Sequence, residues 1–375
     1  MDHPVTPSGG QGAPLPPQAP PPVPPQGAFL PPQGPYPYTV PPQAPAVPTP
    51  EEETKSAYNR IGLAYFGLVA VTQFALAPLV AVLIYFFPSL AKEAWFNVAF
   101  SFFALYCVGM PAVLLCLKGM PKNDIIRRPF SFSSFVKITV ISLSVMNLLN
   151  FFSLWLVRLL EGLIGSEITS PLDQSMESSG VWFYLLSAVV IAPVFEELLF
   201  RRILLTRLVR FGEWPAVLVS ALIFSLVHGN FFQIFYAFAV GILLGWLYLR
   251  TGRLLYTVLL HFLLNFFGSV PGVLIERFCD TEGLDAFLED PAAVSGDALA
   301  ALIPTVAVYG LYLLALVAVI VCGVIFLIRA FRRERLRLSL SPFPAKKTAG
   351  LIFGNVGMIL FLLVSAAVIL VSLMS

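Results

Sequence analysis

Val181-Trp182-Phe183-Tyr184-Leu185-Leu186-Ser187-Ala188-Val189-Val190-Ile191-Ala192-Pro193-Val194-Phe195-Glu196-Glu197-Leu198-Leu199-Phe200-Arg201-Arg202 is the stretch that decides the fold. From Val181 to Phe200 it carries no charge except the adjacent pair Glu196-Glu197, and two arginines close the run. About 20 apolar residues suffice to cross a bilayer as a helix. The stretch therefore reads as a membrane span with two carboxylates near one end. Ionisable groups at membrane depth are costly, so each one is a candidate for function.

The rest of the chain agrees. It has 375 residues, 58% of them apolar and 12% charged, where soluble domains run near half and a quarter. Besides 181–200, apolar runs cover 61–87, 94–117, 135–158, 214–229, 231–249, 253–270, 302–328 and 351–374. The sequence thus predicts an all-α polytopic bundle of about eight or nine spans, with 214–229 short for a full crossing. The first 50 residues differ in kind: they hold 19 of the 32 prolines and one charge, Asp2. Such a tract buries too little apolar surface to fold, so a disordered Pro-rich tail is expected over 1–55. N-terminal spans would follow over 56–160, a further group of helices over 181–270, and an acidic loop with two last spans over 271–375.

Loop charges test the span count. With the amino terminus inside and each span crossing once, 20 of the 23 basic residues fall in inside segments. Only Lys92, Arg158 and Arg277 fall outside. The net charge of +2 and the lack of a basic stripe exclude a nucleic-acid partner. Four cysteines offer no disulfide framework, since Cys107, Cys116 and Cys322 lie inside apolar runs.

The polar residues within spans gather between 196 and 261. Glu197 and Arg201 are four apart and share a helix face, while Glu196 is turned away by about 100°. One carboxylate can pair with Arg201 and leave the other free for acid–base work. Phe224 and His228 share a face of the fifth run, and His261 and Asn265 share one on the seventh. Taken singly, each element has a bland reading: an interfacial charge cluster, a packed histidine, a polar clamp between helices. Together they supply a carboxylate base, a histidine beside it and a pair of donors for an oxyanion. Their depths disagree, however. At 1.5 Å per residue Glu196 lies about 6 Å from the inner end of its run, His261 roughly 12 Å in from Arg253, and His228 roughly 21 Å in from Trp214. A tilt, or a fifth helix that starts on the cytoplasmic side, would reconcile them.

In that order, Glu-Glu-x-x-x-Arg, Phe-x-x-x-His and His-x-x-x-Asn on successive helices resemble the CPBP family. This family contains type II CAAX prenyl endopeptidases and bacterial relatives tied to bacteriocin processing or self-immunity. The resemblance covers roughly 181–270. It implies an intramembrane glutamate-type endopeptidase in which Glu196 activates water with His228. His261 and Asn265 would hold the oxyanion, while Glu197 and Arg201 keep the geometry, with Phe224 supporting the site. No cofactor is implied. Membrane lipid and a peptide or protein substrate, lipidated or plain, are the expected partners. A multi-pass location in a bacterial plasma membrane, amino terminus in the cytoplasm, completes the expectation.

Two other readings are carried forward. Glu196, His228 and His261 could ligate a catalytic zinc, although Asn265 is a poor zinc ligand and no His-Glu-x-x-His occurs. Without catalysis, the same residues could serve an ion relay or lock a membrane scaffold or immunity protein.

Overall fold

A computed structural model describes residues 48–75, 77–169, 181–291, 296–332 and 338–374, and no strand occurs among them. The Pro-rich stretch up to residue 47 lies outside the described residues, as do Arg333, Arg335 and Arg337. Among the described residues, eight helices are long and apolar enough to span a membrane. They are α1 (Pro50–Phe86), α2 (Trp95–Cys116), α3 (Phe132–Ile164), α4 (Val181–Phe211), α6 (Phe231–Thr251), α7 (Leu254–Phe278), α9 (Gly296–Arg332) and α11 (Val356–Met374). Between them stand α5 (Glu213–Val227), α8 (Thr281–Glu289) and α10 (Ala345–Phe353). The chain is a multi-pass integral membrane bundle.

Several boundaries move. The tail was expected to reach residue 55, but α1 starts at Pro50. Thr49 accepts from the Glu52 N–H while the Glu52 carboxylate accepts from the Thr49 N–H at 2.8 Å, a reciprocal cap with proline at the first position. The expected loop 271–301 is largely helical, because α7 runs through Pro271 to Phe278 and Asp280 caps α8.

The nine runs become eight full-length helices and one short one. α5 has only 15 residues. It nevertheless pairs antiparallel with α6: a Cβ on Gly241 would stand 2.9 Å from Ala221 Cα, and one on Gly245 3.3 Å from Val217. The pair therefore returns the chain to the end of the bundle where α4 stopped.

That end is knit from the basic segments. Arg60 donates to the carbonyls of Cys116 and Lys118, Asn123 N–H to Thr206 O, Arg128 N–H to Thr251 O, and Trp214 N–H to Ser339 O. Arg210 pairs with Glu53 and Lys347 with Glu51. Arg201, counted among the loop cations by sequence, is the exception: it is fully buried inside the bundle.

Candidate active site

Local sequence explains the odd backbone around the site. Widened π-helical turns occupy Val71–Ala75, Phe103–Gly109 and Leu186–Ile191, each followed within a few residues by a proline: Pro78, Pro111 and Pro193. Proline has no N–H and crowds the carbonyl one turn back, so the preceding turn opens. A fourth π segment, Leu198–Leu205, has no proline after it. Carbonyls in these turns take side-chain donors. Ala188 O accepts from Asn265 Nδ2 at 2.8 Å, Leu199 O from the Tyr65 hydroxyl at 3.2 Å, and Phe200 O from Ser220 at 3.1 Å.

The disagreement in depth dissolves once α4 is seen whole. It does not end at Phe200 but continues to Phe211, and Gly212, at φ +114°, turns it into α5. Trp214 then starts low, bonded to Ser339 in the layer of basic loops. Glu196 precedes and His228 follows Gly212 by the same sixteen positions. Phe200 and Phe224, each twelve positions from the turn, stack edge to face at 5.1 Å. The helical hairpin therefore brings Glu196 and His228 to the same level, as a fifth helix starting on the basic side requires.

At that level a chain of polar groups runs through the bundle. The Glu196 carboxylate is 3.6 Å from His261 Nε2, too long for a direct hydrogen bond. His261 Nδ1 is 2.9 Å from Glu197 Oε1, and the same oxygen forms an ion pair with Arg201 at 3.1 Å. Glu197 and Arg201 are fully buried, and Arg201 also reaches the Gly241 carbonyl at 3.4 Å. Its guanidinium stands 4.6 Å above the Phe224 ring, which also meets both histidine rings. Phe224 is thus the apolar wall on which the cation and two imidazoles are seated. With Nδ1 donating to Glu197, the His261 ring is fixed in orientation and presents Nε2 to Glu196.

His228 caps α5 and its Nδ1 lies 2.7 Å from the Phe224 carbonyl. Asn265 spends one amide hydrogen on Ala188 and keeps the other, together with its oxygen. Glu196, Phe224, His228, His261 and Asn265 all line one cavity of about 300 Å³. A second cavity of about 550 Å³ shares Asn265, Tyr184, Tyr236 and Ser269 with it. This one runs past Asn147 and Asn150 to Glu276 and Thr281, at the end of α7 away from the basic loops. Among the described residues no three His, Cys, Asp or Glu side chains gather closely enough to hold a metal ion.

Sequence reasoning missed Tyr106. Its hydroxyl donates to Glu196 Oε1 at 3.3 Å, and its ring stacks on Phe195 at 4.7 Å. It comes from α2, in an apolar run with no spacing relation to the three motifs. The only trace in the sequence was Pro111, which marks the widened turn that carries it.

Residues 178–267 match the family described as type II CAAX prenyl endopeptidase Rce1-like. All three motifs lie inside the matched stretch, and the match bears out the resemblance read from them. Tyr106 lies outside it. No curated protein and no solved structure matches the chain.

Proposed function

We propose that this member of the CPBP family is an intramembrane endopeptidase that hydrolyses a peptide bond with water activated by Glu196. The observation that carries the reading is the chain Glu196–His261–Glu197–Arg201, at 3.6, 2.9 and 3.1 Å, along the wall of a cavity inside the bundle. Buried as it is, a carboxylate–guanidinium pair fixes one end of the imidazole, and the free end faces the second, less buried carboxylate.

Water held by Glu196, with His228 across the cavity, attacks the scissile carbonyl carbon and passes a proton to the carboxylate. The carbonyl oxygen becomes an oxyanion, within reach of the second amide hydrogen of Asn265 and of His261, whose Nε2 donates when the ring carries a proton on both nitrogens. As it collapses, the C–N bond breaks and Glu196 returns its proton to the leaving amine. Tyr106 positions the Glu196 carboxylate. Low polarity around the cavity strengthens each of these contacts. The end of the bundle knit from basic segments is assigned to the cytoplasm. The substrate is a peptide or protein segment at the membrane, lipidated or plain.

The test uses the purified full chain in detergent with lipidated and plain peptides, cleavage being followed by mass spectrometry. Wild type, Glu196→Gln and His261→Ala are compared with and without a strong chelator. Glu196→Gln keeps shape and hydrogen bonding but cannot take a proton, so cleavage should fall at least about 10²-fold. Cleavage that survives Glu196→Gln overturns the assignment. Chelator-sensitive cleavage would put a zinc ion on Glu196, His228 and His261 in its place.

A further inference from the structure

The cavity that holds Glu196 extends away from the basic loops. Along α4 its lining runs from Glu196 back to Tyr184, along α7 from His261 on to Ser269, and along α2 from Tyr106 back to Ser101. Each stretch leads from the level of Glu196 toward the far end of the bundle. The second cavity, of about 550 Å³, continues on that course: it shares Asn265 and Ser269 with the first and reaches Glu276 and Thr281. α5 ends at Val227 and α6 begins at Phe231, so their turn stands at the level of Glu196 rather than at the far face. The far half of the bundle therefore lacks α5, and the hollow occupies that half.

The basic side is closed by packing. Glu197, Leu199, Phe200, Arg201 and Leu204 of α4 are fully buried below Glu196, and the Phe224 ring covers Arg201. A hollow of about 430 Å³ on that end, lined by Arg127, Arg202 and Arg253, shares no lining residue with the cavity of Glu196.

The second cavity suits a peptide. Binding clefts are mostly apolar with a few placed polar groups, and here Met146, Leu264 and Val273 share the wall with Asn147, Asn150 and Ser269. A side-chain amide carries both a donor and an acceptor, the complement of a peptide group. The rise along α7 from Asn265 to Glu276 is about 16 Å, which about five residues of extended chain would span.

We infer that the peptide substrate reaches Glu196 through this second cavity, as an extended segment entering from the face opposite the basic loops. The inference rests on the endopeptidase reading above. With the basic end in the cytoplasm, the substrate is a segment presented on the other side of the membrane.

Sealed lipid vesicles carrying the full chain test the direction of access. An affinity tag at the amino terminus lies on the basic side, because α1 begins there with Glu53 on Arg210, and it sorts vesicles by orientation. The probe is Ser269→Cys, in a chain whose Cys107, Cys116, Cys279 and Cys322 are replaced by alanine. A methanethiosulfonate bearing a quaternary ammonium, added outside, is held back by the bilayer because its charge is permanent. It should modify Ser269→Cys at least about tenfold faster in vesicles with the tag inside than in those with the tag outside. Faster modification from the tag side, or equal rates, overturns the inference whether or not the chain is a peptidase.

Gly272→Trp is the second variant. Gly272 lines the second cavity, and a Cβ there would meet nothing within 4 Å, so an indole has room to enter. The melting temperature should stay near that of wild type. For a peptide that wild type cleaves in detergent, kcat/KM should fall at least about tenfold. Unchanged cleavage by folded Gly272→Trp overturns the route, even where wild-type cleavage upholds the endopeptidase reading.

Discussion

Two spans of the same bundle, α4 and α9, separate what hydropathy reports from what the protein's interior requires. α9 is the most apolar span, yet among its residues only Leu302, Thr305 and Gly323 are buried. α4 is far less apolar, carries Glu196, Glu197 and Arg201, and is half-buried. In water the order would be reversed. In a bilayer the lipid tails are as apolar as leucine, so apolar content gives a helix no reason to seek the centre. Polar pairing and close approach of small residues supply that reason. At its closest approach to α3, α9 is seated by a small residue and a hydroxyl: a Cβ on Gly323 would sit 2.2 Å from Ser144 Cβ, and Ser144 donates to the Ile320 carbonyl.

The comparison breaks first, if it breaks, at Arg201. Arg201→Met leaves the fully buried Glu197 without its cation, at a cost of about 3–5 kcal/mol. A large drop in melting temperature in detergent is the expected result. Glu197→Gln/Arg201→Met should recover most of it, since no lone charge is then buried. An Arg201→Met protein that melts like wild type would mean the pair does not organise the interior.

This asymmetry also explains what could be read from the sequence. Run lengths gave the fold class, because a bilayer sets helix length, and spacing gave Glu197 with Arg201 and His261 with Asn265, because helical periodicity sets faces. Neither rule applies across helices. Tyr106 reaches Glu196 from a helix 90 positions away, so nothing local marks it. The depth of Glu196 is underestimated from the sequence because α4 stays helical past Arg202 to Phe211, where the charges suggest an earlier end. Arg207 and Arg210 keep that last stretch polar, yet Leu204, Leu205 and Leu208 bury it against the core. The fifth run looked too short to cross and is short; its antiparallel seat against α6 depends on Gly241 and Gly245, whose role shows only when the partner helix is placed.

Next in size is the foothold of α9. Gly323→Leu forces a side chain into Ser144 and should cost about 1–3 kcal/mol by overpacking. Because α9 contributes nothing to the cavity that holds Glu196, a lower melting temperature should leave peptide cleavage by the folded protein within about twofold. Loss of cleavage at temperatures where the variant is folded would show that α9 is coupled to the site.

Tyr106→Phe sharpens the other side of the comparison. It removes one hydrogen bond to Glu196 and keeps the stack on Phe195. A hydrogen bond of this kind is worth about 1 kcal/mol, so kcat should fall several-fold with KM unchanged. An altered KM with an unchanged kcat would make Tyr106 a substrate contact instead.

The smallest effect is the most diagnostic of the solvent. Leu314 lies midway along α9 and is 68% exposed, whereas Leu204 of α4 is fully buried. Leu204→Ala should cost about 2–5 kcal/mol, since it empties space that neighbouring side chains fill. Leu314→Ala should cost less than about 0.5 kcal/mol, because lipid closes over the missing methyls and no cavity forms. Paired thermal melts in lipid bicelles measure both. Equal losses would mean that the exposed face of α9 is covered by protein rather than by acyl chains, and the contrast between the two spans would then describe an assembly of this chain instead of a single copy.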